Sequence, residues 1–226
     1  MPSKLDAAFT LHKAGKLIEA KRLYETRLID HPNDFNVLFL LGLLAYHMLN
    51  LHEAEGYFAQ AISLKLDIAD FYLWHGRVLS DLGRLVEAVA SYDAAIIIEP
   101  DYSDAFNNRG NALNDLGRLD EALASYEKAV FIKPNYADAF NNLGSAFRNL
   151  GRFDEALTSY DKSLLLKNDN PEAYNNRGVT LHGLNLILEA LSSYEQAIFL
   201  RPDHGEAYNN RGNALKDLRR VDEALA

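Results

Sequence analysis

Asparagines recur at a fixed interval in the second half of the chain. The pairs are Asn107 and Asn108, Asn141 and Asn142, Asn175 and Asn176, and Asn209 and Asn210, with Asn111 and Asn213 a helical turn further on. A carboxamide both donates and accepts, so a row of them suits the backbone of an extended peptide. Other chemistry is sparse. The histidines form no HExxH pair. His12 and His47 meet only if neighbouring segments stack, and two nitrogens fall short of a metal site's ligand set. There is no GxxxxGK[ST], no GxGxxG after a strand and no GxSxG. The absence of cysteine removes disulfides, thiolate zinc sites and a cysteine nucleophile. Acidic pairs such as Asp120 and Glu121 are copied along the chain, as helix starts are and catalytic residues rarely are. The chain reads as non-enzymatic, with no cofactor and no metal.

The formal net charge of the 226 residues is -9. Nucleic-acid binding needs dense Lys and Arg to displace counterions, and an acidic lipid surface needs them too, so neither is expected as a partner. The N-terminus lacks the apolar core of a signal peptide. The longest apolar run, Val37 to Tyr46, falls short of the roughly 20 residues that cross a bilayer. The expected location is cytoplasmic.

What must position the asparagines is a repeat. Residues 104–135 return after 34 residues, and again after another 34. Counted from Met1, the repeats cover 1–34, 35–68, 69–102, 103–136, 137–170 and 171–204, with a partial seventh over 205–226. Such a period indicates a stacked array, taken here as one domain over 1–226. Position 8 is Ala8 and then Gly42, Gly76, Gly110, Gly144, Gly178 and Gly212, and position 20 is alanine from Ala20 to Ala224. Position 24 is Tyr24, Phe58, Tyr92, Tyr126, Tyr160 and Tyr194. Apolar spacing gives two helical segments per repeat. Small residues at positions 8 and 20 let two antiparallel helices approach, and the aromatic at position 24 is expected to fill the space between repeats. Gly83, Gly117 and Gly151 are expected to end first helices in the left-handed conformation. Asp120, Asp154 and Asp222 are expected to cap second helices. Proline then closes the repeat at Pro32, Pro100, Pro134 and Pro202. These features give an all-α solenoid of helical hairpins.

Glycine at 8, alanine at 20, an aromatic at 24, alanine at 27 and proline at 32 are also the pattern of tetratricopeptide repeat (TPR) proteins, which the whole chain resembles. The resemblance implies a right-handed superhelix whose first helices line a concave groove. Departures are Ala8 and Arg27 in repeat 1, Leu49 and Asn50 in place of the turn glycine in repeat 2, and Asn168 at the proline position of repeat 5. There Asn170 is placed to cap a helix with Pro171 at its first position. The last repeat stops at Ala226, so a longer natural chain is expected.

Positions 2, 5, 6, 9, 12 and 13 of a first helix share one stripe, which the resemblance places in the groove. The stripe begins apolar, with Leu5, Phe9, Phe39, Leu40, Leu43, Tyr46, Leu73 and Trp74, and ends as the asparagine row. TPR arms of O-GlcNAc transferases carry similar asparagines at position 6, matched here by Asn108, Asn142, Asn176 and Asn210, while Leu40 and Trp74 depart. The simpler alternative is that the asparagines bond within the stack. Lys13, Arg77, Arg148 and Lys216 are too scattered for the clamp with which some TPR proteins hold chaperone C-termini. The acidic rim (Asp104, Asp138, Glu172, Glu206) suits a cationic segment. Arg109, Arg177 and Arg211 could stack on aromatics or bridge repeats, but the preferred expectation is packed stems with heads in solvent. The sequence therefore points to an interaction scaffold for an unidentified protein or peptide. Two other readings remain: the arm of a larger glycosyltransferase, and self-association through the apolar first repeats.

Overall fold

The computed structural model describes residues 4–218. Asp222 and Ala224, expected to cap and to pack the second helix of repeat 7, lie outside them. The described residues form helices and turns with no strand, the all-α solenoid of paired helices expected. The chain parts into two compact units, 1–116 and 117–226.

The first unit holds α1 (Lys4–Lys13), α2 (Leu17–Asp30), α3 (Phe35–His47), α4 (Leu51–Leu64), α5 (Ala69–Asp81), α6 (Leu85–Ile98) and α7 (Ser103–Asp115). The second holds α8 (Leu119–Ile132), α9 (Ala137–Asn149), α10 (Phe153–Leu166), α11 (Pro171–Gly183), α12 (Ile187–Leu200) and α13 (Gly205–Asp217). Within each unit, consecutive helices pack on one another. First helices of successive repeats also touch: α3 with α5 and α5 with α7 in the first unit, α9 with α11 and α11 with α13 in the second. That contact builds the stripe.

The close approach within a pair follows from glycine. A Cβ on Gly42 would stand 2.6 Å from the Phe58 ring, and one on Gly144 would stand 2.7 Å from the Tyr160 ring. The aromatic at position 24 therefore packs against the first helix of its own repeat, not only between repeats as expected. It is buried in every case, from Tyr24 and Phe58 to Tyr194.

The turns behave as the glycines require. Gly83, Gly117 and Gly151 have φ of 74, 74 and 73°. The second helices start one or two residues earlier than expected. The cap residues are Arg118 and Arg152, without a side-chain cap bond, and Asp120 and Asp154 lie in the first turn. A carboxylate there meets the exposed N–H groups and the positive end of the helix dipole, which explains its recurrence without a capping bond. The cap arginine forks onto the glutamate of the same turn, with Arg118 Nε and Nη2 both 2.7 Å from Glu121. By contrast, Asn170 does cap α11, accepting from the Ala173 N–H at 3.1 Å with Pro171 at the helix start.

Candidate functional site

In the first unit the stripe is aromatic and partly covered. Phe39 stacks on Phe71 with ring centroids 4.8 Å apart, and Tyr46 meets Trp74 edge-on at 5.6 Å. Leu73 is buried, while Leu5, Leu40, Leu43, Phe39, Tyr46 and Trp74 are half-buried and Phe9 is exposed under Lys13. Burial in these clusters is the hydrophobic payload that holds α1 to α5 together.

Where this apolar stretch ends, a cavity of about 270 Å³ opens. Tyr46, Arg77, Ser80, Asp81 and Tyr92 form one side of it, and Asn108, Asn111 and Asp115 of α7 form the other. The Arg77 guanidinium lies 4.3 Å from the Trp74 ring centroid and 5.7 Å from that of Tyr46. Such a cation over an aromatic face is held in place without a carboxylate. Burial pushes the Tyr92 hydroxyl up to about 12, and its oxygen sits 3.2 Å from Ser80 Oγ. Burial, and then the nearby Asp81 carboxylate, raises Tyr46 as well. Both phenols therefore stay neutral donors at any physiological pH. The cavity combines one guanidinium, two carboxylates, two amides and an aromatic wall.

In the second unit the asparagines bond to one another. Asn176 Nδ2 donates to Asn141 Oδ1 at 3.2 Å, and Asn210 Nδ2 donates to Asn175 Oδ1 at 3.0 Å. Each rung joins position 6 of one repeat to position 5 of the repeat before it. Asn175 is buried, as is Asn107 in the first unit. Asn108, Asn141, Asn142, Asn176 and Asn210 are half-buried, and Asn111, Asn209 and Asn213 are exposed. A carboxamide has two N–H groups and two acceptor lone pairs, so a rung leaves capacity over for a ligand.

The position-7 arginines differ from the expectation of solvated heads. Arg109 Nε is 2.6 Å from Asp93 Oδ1, and Arg177 Nε is 2.7 Å from Asp161 Oδ1. Each ties a first helix to the second helix of the preceding repeat. The guanidinium plane matches a carboxylate in both reach and geometry, which solvent does not improve on. The signal was an aspartate 16 residues earlier in both cases.

His12 Nε2 and His47 Nδ1 do approach across repeats, to 3.2 Å. Among the described residues no group of three or more His, Asp or Glu is arranged to hold a metal ion. No described helix is long and apolar enough to cross a membrane.

Comparison with known proteins gives a consistent answer. A family model described as TPR repeat matches residues 76–117, 110–151 and 144–185, and one described as Tetratricopeptide repeat matches 183–226. No curated protein matches the sequence. Among solved structures, MamA is 25% identical with a TM-score of 0.68, over 71% of this chain and 94% of that one. YrrB, a TPR protein with an unusual peptide-binding site, is 24% identical with a TM-score of 0.66, over 81% and 95%. A tetratricopeptide repeat protein from Parabacteroides merdae is 16% identical with a TM-score of 0.80, over 98% and 87%, a likeness of fold alone. The repeats read from the sequence, the paired helices and the family models agree: the chain belongs to the tetratricopeptide repeat family.

Proposed function

We propose that this chain is a non-catalytic scaffold whose first-helix stripe receives an extended segment of another protein. The observation that carries the reading is the cavity between α3, α5, α6 and α7. Its aromatic wall offers apolar contact, Asn108 and Asn111 offer amides to a peptide backbone, and Asp81 and Asp115 favour a basic side chain. Two carboxylates against the one Arg77 guanidinium leave the lining net negative, while the Trp74 and Tyr46 rings hold the guanidinium to one side. YrrB supports the reading in kind, since it has the same fold and a peptide-binding site. The exposed Phe9 and half-buried Phe39, Tyr46 and Trp74 extend the apolar side of the surface. In the second unit Asn141, Asn142, Asn176, Asn209, Asn210 and Asn213 offer amides of their own. The buried Asn175 serves by holding Asn210 in place, and the buried Asn107 contributes to packing rather than to the exposed amides.

The test is capture on an array of extended peptides that vary in charge. Basic peptides are expected to bind, and Asn108→Ala with Asn111→Ala is expected to weaken capture while the helical circular-dichroism signal stays unchanged. Capture that ignores peptide charge and survives both changes overturns the reading. The repeated position-6 asparagines favour a second reading, the substrate-recognition arm of an O-GlcNAc-transferase-like enzyme. The mass of the polypeptide in its source cells separates the two: a value near 25.4 kDa means a free-standing scaffold. A cytoplasmic location completes the proposal, and fractionation of those cells checks it.

A further inference from the structure

A second surface stands apart from the stripe. Ile29, Ile97, Phe131, Leu165 and Phe199 each occupy the last-but-one residue of a second helix, at position 29 of the repeat. Their exposures lie between 77 and 80%. Only Ser63 of repeat 2 breaks the series. One exposed apolar side chain is ordinary, but two in the first unit and three in the second at the same position of the repeat leave an unsatisfied edge on each unit.

The charges beside this edge differ between the two units. In two repeats of the second unit lysines stand at positions 26 and 31, on either side of the apolar residue. They are Lys128 and Lys133 around Phe131, and Lys162 and Lys167 around Leu165, whereas beside Phe199 those positions are Gln196 and an Arg201 paired with Glu172. Lys128 Nζ lies 5.2 Å from the Phe131 ring centroid. In the first unit the corresponding residues beside Ile97 are Ala94 and Glu99. Position 33 is aspartate beside both Ile97 (Asp101) and Leu165 (Asp169), so the contrast is Glu99 against Lys162 and Lys167. Position 25 is acidic beside most of the series and so does not distinguish the units. Asp93 and Asp161 there are already held by Arg109 and Arg177.

We infer that this edge is an interface between two copies of the chain, with the Ile97 edge of one copy seated on the Leu165 edge of the other. The occupant's required chemistry, an apolar side chain with a carboxylate beside it where the other edge has lysine, is what the first unit presents at Ile97 and Glu99. The lysine-flanked residues of the second unit are its complement. An edge used this way in both directions closes a two-fold dimer, and used in one direction it builds a longer assembly. The interface does not involve the cavity and stands or falls independently of peptide binding.

Sedimentation velocity on the full chain, over a concentration series at low and high salt, tests it. The expected result is association that grows with concentration and weakens with salt, since exposed ion pairs are screened. Replacing Phe131, Leu165 and Phe199 together by Ser is expected to weaken association at least about tenfold. These side chains are so exposed that the helical signal is expected to be unchanged. Glu99→Lys is expected to weaken association, and adding Lys162→Glu and Lys167→Glu to restore it. Asn108→Ala with Asn111→Ala is expected to leave it untouched. A chain that stays monomeric throughout, association that survives the triple Ser change, or no rescue by the charge reversal overturns the proposal. So does a monomer that co-floats with phosphatidylserine vesicles in a Phe131-dependent way, because the edge would then serve lipid.

Discussion

The two units make the same joint from different materials. Position 5 of one repeat and position 6 of the next face the same joint between first helices. In the first unit those positions hold Leu5 and Leu40, then Phe39 and Trp74, packed onto the buried clusters, and last the mixed pair Leu73 and Asn108. In the second they hold Asn141 with Asn176 and Asn175 with Asn210, each pair hydrogen-bonded. The apolar joint draws on buried area and tolerates small shifts. The amide joint contributes only the modest net worth of a hydrogen bond, and of its four amides only the buried Asn175 would be left desolvated by the loss of its partner. One backbone plan therefore yields a tightly packed region and a region with polar capacity to spare.

The comparison breaks most visibly at Phe71, which is buried and stacked on Phe39. Phe71→Ala is expected to cost about 3–5 kcal/mol through lost burial and the cavity left behind. Urea denaturation followed by circular dichroism measures it, and a loss below about 1 kcal/mol would mean that the apolar joint is not what holds the first unit.

Asn175→Ala, which removes the partner of the half-buried Asn210 amide, is expected to cost about 0.5–1.5 kcal/mol. Putting Leu at both Asn175 and Asn210 ports the Leu5–Leu40 pair into the second unit and is expected to recover most of that loss. If the double leucine chain is no better than the single alanine one, the two joints are not interchangeable and the comparison fails.

Protonation separates the units in a third way. The pKa of His12 is held below 6.5 by burial and then by His47, and that of His75 is lowered chiefly by burial. For a base lowered in the folded state, the unfolded chain binds more protons as pH falls through 6.5. Stability then rises with pH across that range. The first unit's contribution is expected to be whole above about pH 7.5 and to fall as the solution is acidified past the unfolded value. His12→Gln with His75→Gln should flatten the dependence of melting temperature on pH. A melting temperature that climbs on acidification would reverse the sign and refute the account.

What the sequence made legible was whatever recurs at one position and acts within one repeat. The helices, the left-handed turns at Gly83, Gly117 and Gly151, and the Asn170 cap are of this kind. The second-helix start was missed because an acid in the first turn and an acid at the cap look alike in the sequence, and only backbone angles separate Asp120 from Arg118. The Arg177–Asp161 pair and the amide rungs were missed or left open because each partner lies in a different repeat. The cavity needed three first helices and Tyr92 of α6 together. The position-29 edge was visible in the alignment of repeats, as Ile, Ile, Phe, Leu and Phe. An apolar residue at a helix end looks like core in the sequence, and only its exposure marks it as an edge.

The smallest effect isolates the turns from the joints. Leu49 takes the left-handed conformation, φ 59°, at the slot where other repeats place Gly83, Gly117 or Gly151, and it is 84% exposed. Its side chain therefore offsets none of the strain. A non-glycine residue in that conformation costs roughly 1–2 kcal/mol, and glycine's greater freedom in the unfolded chain takes back about half of any gain. Leu49→Gly is expected to raise stability by about 0.5–1 kcal/mol. Asn185, at φ 62°, occupies the equivalent slot in repeat 6, and asparagine tolerates the left-handed region well. Asn185→Gly is accordingly expected to change stability by no more than a few tenths of a kcal/mol. Paired denaturation curves measure both. Equal gains at the two sites would show that strain in the turn, rather than the residue type filling it, decides how firmly each repeat is closed.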